Sequence, residues 1–194
     1  MQNPEIFRPR SNIFYGVGIF ALCVGMTGAY FYGTEFETRI TALTISSFIC
    51  SIAYLLFIRP KVTFYDEGIV ITNPVHEYTV GWGDIDSIEA RYTMYVNIGK
   101  RKIHAWAAPA PGRYHARSVH PNELKGMGIP DLHNMRPGES PRTHSGVATH
   151  LARSRHESFA KNEFRSFEFS SKFDFNGVAI LAFLFIASIA ALVI

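Results

Sequence analysis

Three long stretches of this chain carry no charged side chain, and they limit what it can fold into more than any other feature. Ile13 to Phe31 and Ile40 to Ile58 are each nineteen residues without a charge, and none occurs from Gly177 to Ile194. A helix rises about 1.5 Å per residue, so nineteen residues cover roughly 28 Å, close to the hydrocarbon thickness of a bilayer. The last run, taken from 174 to 194, is at most 21 residues, or about 31 Å as a helix. The 194 residues are 47% hydrophobic, a fraction that one globular domain could hold, but here the apolar residues are bunched, which points to lipid. The first run leaves through Ala29-Tyr30-Phe31-Tyr32, an interfacial aromatic cluster rather than the small-residue cleavage site of a secretory signal, so it is expected to stay attached.

The predicted architecture is membrane α plus small β. It comprises a polar segment at 1–12, a two-helix transmembrane hairpin at 13–58 and a β domain at 59–107. A Pro/Gly/His-rich loop at 108–142, a helix and linker at 143–173 and a third transmembrane helix at 174–194 follow. Ala21, Gly25 and Ala29 recur every four residues on the first span, and Ala42, Ser46 and Cys50 do so on the second. Each set makes a small-residue stripe that permits close backbone approach. Either the stripes pack on each other, or at least one docks on a different membrane protein.

Orientation follows from the short flanks. Arg8 and Arg10 precede the first span and Arg59 and Lys61 follow the second, whereas the connection between them has only Arg39. Basic flanks stay inside, so the β domain is expected to face the cytoplasm from the plasma membrane, with the C terminus outside. The last run could instead stop within the bilayer against other helices, because no polar residue anchors its far end.

Between the spans, Lys61 to Tyr65 alternates apolar and polar residues, Asp66-Glu67-Gly68 turns, and Ile69 to Thr72 resumes. A third run ends at Tyr78-Thr-Val-Gly-Trp82, a fourth covers Ile85 to Tyr92, and Met94 to Ile98 meets Arg101 to Ala107 across Gly99-Lys100, a two-residue hairpin signal. That predicts about six short strands. Their order, with Asp66-Glu67-Gly68-Ile69, then Val80-Gly-Trp82-Gly-Asp84-Ile85 and then the Gly99-Lys100 hairpin, resembles the bacterial pleckstrin-homology-like domains of small actinobacterial membrane proteins. The resemblance covers roughly a quarter of the chain. It implies a bent β sandwich closed by a C-terminal capping helix, with Trp82, Asp84 and Ile85 opening the strand that crosses between the sheets. A helix from about Thr143 to Phe159, with Val147, Ala148, Leu151 and Ala152 on one face, fits that role, and 113–119 is the best stretch for a seventh strand. The preceding loop holds many helix and strand breakers, so it is either poorly ordered or held by a partner.

Little in the sequence carries chemistry. His144, His150 and His156 are six apart, which spreads them around a helix, and His115 and His120 lack accompanying cysteines or a His-Glu-x-x-His pattern. No nucleophile elbow, phosphate loop or dinucleotide fingerprint is present, and no span holds an ionisable group able to carry ions. No enzyme, cofactor, metal or small-molecule substrate is therefore expected. The net charge of +3 is too small to argue for nucleic acid. Cys23 and Cys50 fall in apolar runs and read as reduced packing residues, and Trp82 and Trp106 both read as core.

The one cluster with binding chemistry is Lys100-Arg101-Lys102, three cations at a turn that could meet lipid phosphates or a partner. Pleckstrin-homology domains that bind inositol phosphates place basic residues around their first hairpin. The matching turn here, Asp66-Glu67-Gly68, is acidic. Two functions follow as expectations. One is a non-catalytic accessory subunit holding on to a larger membrane assembly, for which actinobacterial respiratory supercomplexes, with small accessory subunits of this build, are a candidate by analogy. The other is a module that reads anionic lipid or a cytoplasmic partner at the membrane surface. The predicted topology has a direct check: a cysteine introduced at Thr34 should react with an impermeant thiol reagent added from outside intact cells.

Overall fold

The computed structural model describes residues 2–32, 35–110, 137–140, 143–162 and 165–193. The chain divides into two compact units. One comprises Met1–Arg8, Lys61–Asn73 and Glu77–Ser171, and the other Pro9–Pro60, Pro74–His76 and Lys172–Ile194. The expected seventh strand at 113–119, and His115 and His120 with it, lie outside the described residues.

The first unit is built from strands. β1 (Glu5–Phe7), β2 (Lys61–Phe64), β3 (Gly68–Thr72) and β4 (His76–Gly81) run in that order in a five-stranded sheet completed by β8 (Ser170–Phe173). β5 (Ser87–Ala90), β6 (Thr93–Ile98) and β7 (Arg101–Pro109) form a second, three-stranded sheet. The six strands expected between Lys61 and Ala107 are all present. β1 and β8 are additional. β1 pairs antiparallel with β2, Glu5 opposite Phe64 and Phe7 opposite Val62, so the polar segment assigned to 1–12 is split between a strand and the start of a helix. A strand of three residues is too short to show a period-two pattern. β8 lies in the stretch expected to be a linker.

The core of this unit joins both sheets to a helix. Val62, Phe64, Ile69 and Ile71 of the first sheet and Ile88, Met94, Val96 and Ile103 of the second are buried together with Ala148 and Ala152 of α3 (His144–Lys161). Trp82 sits in a 3-10 turn, Trp82–Asp84, where the chain crosses from β4 to β5. It is fully buried, and its indole N–H donates to the Tyr65 carbonyl at 2.9 Å. α3 starts at Thr143, whose hydroxyl accepts from the Gly146 N–H at 2.9 Å, as a helix N-cap should. Val147, expected on the packed face, is 38% exposed.

β7 departs from a regular ladder. Tyr95 faces His104 but Thr93 faces Pro109, so extra residues bulge between them. Ala105, Ala107 and Ala108 are buried while Trp106 is 51% exposed, which corrects the expectation that both tryptophans are core. A bulge can re-aim a side chain in this way. Beside it, the Asn73 carboxamide donates to the His104 carbonyl at 2.8 Å and accepts from the Trp106 N–H at 2.9 Å.

The second unit is helical. α1 (Arg10–Phe31), α2 (Phe36–Ala53, continued to Ile58 by a π turn) and α4 (Phe175–Val193) are long and apolar enough to cross a membrane. α2 packs against both α1 and α4. Toward α4, the rings of Phe48 and Phe185 lie 5.5 Å apart, and the Thr41 hydroxyl donates to the Ala191 carbonyl at 2.8 Å. At the end of α2, the Arg59 N–H reaches back five residues to the Tyr54 carbonyl, and the Arg59 guanidinium pairs with Asp174 at 3.0 Å. Asp174 also accepts the Gly177 N–H at 3.0 Å and so caps α4.

Gly146 offers a sharp test of the packing under α3. A Cβ there would collide with the carbonyl of Ser140, whereas one at Gly83 would meet only the Ser166 hydroxyl at ordinary contact distance. Gly146→Ala should destabilise the β unit by about 1–3 kcal/mol as overpacking does, and Gly83→Ala by no more than about 0.5 kcal/mol. Denaturation followed by tryptophan fluorescence measures both, since Trp82 and Trp106 lie in this unit.

Candidate functional site

The basic hairpin forms where Gly99 adopts φ +53°, a conformation glycine reaches without strain, and where the Asp86 carboxylate accepts the Gly99 N–H. Lys100, Arg101 and Lys102 are all exposed. They do not make one cradle, because successive side chains on a strand leave opposite faces. Arg101 lies over the Phe169 ring at 5.4 Å, while the Lys102 ammonium lies over the Tyr95 ring at 4.1 Å. Lys100 and Arg101 share a shallow depression with Asp84, Ile98 and Phe169, so a carboxylate stands among the two cations. Adjacency in sequence suggested three donors together; the strand geometry brings together two.

The face that Lys102 does share is a hydrogen-bonded network that sequence reasoning missed. The Tyr95 hydroxyl donates to Glu89 at 2.8 Å, the Asn97 amide donates to the Ser87 hydroxyl at 2.7 Å, and a His104 ring nitrogen meets the Thr93 hydroxyl at 3.0 Å. Partial desolvation, and then the nearby Lys102 charge, hold the imidazole of the largely exposed His104 below its ordinary pKa of 6.5. The alternation of Ser87, Glu89, Thr93, Tyr95 and Asn97 was the available signal, since it puts those polar groups on one face.

The acidic turn is engaged within the chain. Arg155 of α3 pairs with Asp66 at 2.6 Å and with Glu5 of β1 at 3.1 Å, and the Asn3 amide donates to Asp66 at 2.6 Å. The Glu67 carboxylate accepts the Gln2 N–H at 3.0 Å. Burial pushes the Glu67 pKa up, yet its hydrogen bonds, led by the one from Gln2, outweigh that and bring it below 4.5. Two histidines of α3 meet aromatic rings, His144 that of Phe7 and His156 that of Trp82, while His150 is exposed. Among the described residues no three His, Cys, Asp or Glu side chains converge as metal ligands would.

In the helical unit the two small-residue stripes do not meet. Ala21, Gly25 and Ala29 are exposed, and a Cβ at Gly18, Gly25 or Gly28 would find nothing within 4 Å. α1 instead turns Gly16, Cys23 and Thr27 toward α2. Gly16 lies against Ile58, Cys23 and Cys50 line one crevice, and the Thr27 hydroxyl donates to Ser46 at 2.8 Å. Ser46 lies against a face of α1 other than the Ala21, Gly25 and Ala29 stripe. Ala42 lines a cavity of about 200 Å³ between the two helices, together with Met26, Tyr30, Ile45 and Ile49. A repeat of four marks both faces of α1, and spacing alone could not choose between them.

Comparison with family models, curated proteins and solved structures finds no match for this chain.

The two shifted groups fix how stability varies with pH. A base whose folded pKa is depressed takes up its proton more readily when unfolded, so His104 destabilises the fold as pH falls below 6.5 and contributes nothing above it. Glu67 stabilises above 4.5, and that contribution is lost on further acidification through its folded pKa. Melting followed by tryptophan fluorescence should be level from about pH 8 to 7 and decline below 6.5. His104→Gln should remove the first part of that decline and Glu67→Gln part of the lower one.

Proposed function

We propose that this chain is a non-catalytic integral membrane subunit that assembles with or stabilises a larger membrane-protein complex, gripping it through the outer face of α1. The observation that carries this reading is the placement of Ala21, Gly25 and Ala29. They make a stripe along which another backbone could approach closely, and the chain's own helices leave it open. In lipid, helices associate through such faces by close packing and not by the hydrophobic effect. Without charge along it, the face suits an uncharged transmembrane helix of another protein.

Further elements complete the reading. The basic flanks Arg8, Arg10, Arg59 and Lys61 favour a plasma-membrane protein with its β unit toward the cytoplasm and its C terminus outside. The strand order and the Trp82-Gly-Asp84-Ile85 motif favour a pleckstrin-homology-like module of actinobacterial type, for which a respiratory supercomplex is a suitable host by analogy. Lipid reading at the basic hairpin takes second place. Lys100 and Arg101 do share a depression, but Lys102 faces away from it and Asp84 lies within it.

Gentle detergent extraction tests the main reading. The chain should carry a stoichiometric membrane partner, and Gly25→Leu should reduce its recovery roughly tenfold, the effect of a 1.4 kcal/mol loss. Because no neighbour lies within 4 Å of that position, the melting temperature of the chain itself should not change. A chain that always emerges alone defeats the proposal.

A further inference from the structure

α2 packs against both α1 and α4, and an apolar crevice runs along it in two adjoining parts. One part, about 460 Å³, lies between Phe20, Val24 and Gly28 of α1 and Leu43, Ser47 and Cys50 of α2. The other, about 290 Å³, is bounded by Tyr54 and Leu55 and by Gly177 and Ile180 of α4, and it shares Phe20 and Cys50 with the first. Gly28 keeps the crevice open, since a Cβ there would meet nothing within 4 Å. The described lining of either part holds no charged side chain, and the Ser51 hydroxyl is turned to the Ser47 carbonyl of its own helix at 2.9 Å.

We propose that this crevice holds one acyl chain of an anionic glycerophospholipid, with the headgroup at the end of the helical unit marked by Arg10 and Lys172. Apolar cavities stay dry and take apolar molecules. From Leu43 to Tyr54 the crevice follows α2 for about 16 Å, and one leaflet of a roughly 30 Å hydrocarbon core is about 15 Å deep, the reach of one acyl chain. A helix, about 10 Å across with its side chains, fills roughly 400 Å³ per turn, so a crevice of this volume spread over about 16 Å is too thin for one. The charge at one end selects the headgroup. The side-chain carboxylates of the helical unit are Glu35, Glu37 and Asp174. The first two lie near the connection between α1 and α2, and Asp174 is paired with Arg59. Arg10 and Lys172 are exposed, so the end at which α1 and α4 begin is positive and suits the phosphate of an anionic lipid. The smaller part of the crevice opens at that same end, with Gly177 in the first turn of α4. This face of α1 is not the Ala21, Gly25 and Ala29 stripe, so the site stands apart from the adaptor reading.

The test uses the full chain in mild detergent and native mass spectrometry, with dioleoylphosphatidylglycerol and dioleoylphosphatidylcholine as probes. One phosphatidylglycerol should bind per chain and do so in preference to phosphatidylcholine. Gly28→Leu, which fills the larger part of the crevice, should weaken that binding roughly tenfold, since displacing even two buried methylenes costs about that much. Gly18→Leu, also in open space on α1 but away from the crevice, should leave binding unchanged. Neither substitution should lower the melting temperature, because neither displaces a neighbouring atom. Arg10→Gln combined with Lys172→Gln should abolish the preference between the two lipids. Binding that continues past one lipid per chain without saturating, that survives Gly28→Leu, or that never distinguishes the two headgroups overturns the proposal, as does a preference that the double charge variant leaves intact.

Discussion

Arg59 and Asp174 form the contact on which the helical unit depends. The chain leaves its second span at Arg59 and enters its third at Asp174, more than a hundred residues later, and a 3.0 Å ion pair joins the two points. Both side chains are largely buried, at 16% and 24% exposure, where water competes weakly for the pair. Asp174 has a second task as the cap of α4. One carboxylate thus fixes where the third helix starts and ties that start to the end of the second. The π turn helps by carrying the chain from Tyr54 to Arg59 with a five-residue hydrogen bond, which shifts the helical phase just before the charged residue.

At its other end the same pair of helices is joined without charge, by Thr41 donating to the Ala191 carbonyl. Hydroxyls do similar work between α1 and α2, where Thr27 donates to Ser46. In lipid there is no water to satisfy a stray polar group, so each short polar side chain in these spans must find a partner or return its proton to its own helix. Thr44 and Ser51 take the second course, donating to the carbonyls of Ile40 and Ser47. The sequence of α2, rich in threonine and serine yet free of charge after Arg39, fits a helix that packs on two sides.

The spans were legible because bilayer thickness imposes a length that few other constraints mimic. The strands from Lys61 to Ala107 were legible because turn residues punctuate them. β1 was not, since its pairing with β2 crosses more than fifty residues and leaves no local trace. Trp106 was misread because alternation assigns a face only while the ladder is regular, and the β7 bulge breaks it. The basic hairpin was found, but its three cations were judged by adjacency, and a strand separates neighbours. For α1, a repeat of four residues identified a packable face without saying which helix it would meet; the Thr27 bond to Ser46 and the approach of Gly16 to Ile58 show that a different face meets α2.

Asn73 has a wider consequence. Its carboxamide presents one acceptor and one donor to the lip of β7, in the same pattern that a peptide group of a neighbouring strand would offer. An uncovered lip of this kind invites other polypeptides to zip on and grow into fibrous aggregates. A single amide side chain therefore acts as a stopper, filling the place of an incoming strand and leaving one fewer opening for runaway polymerisation.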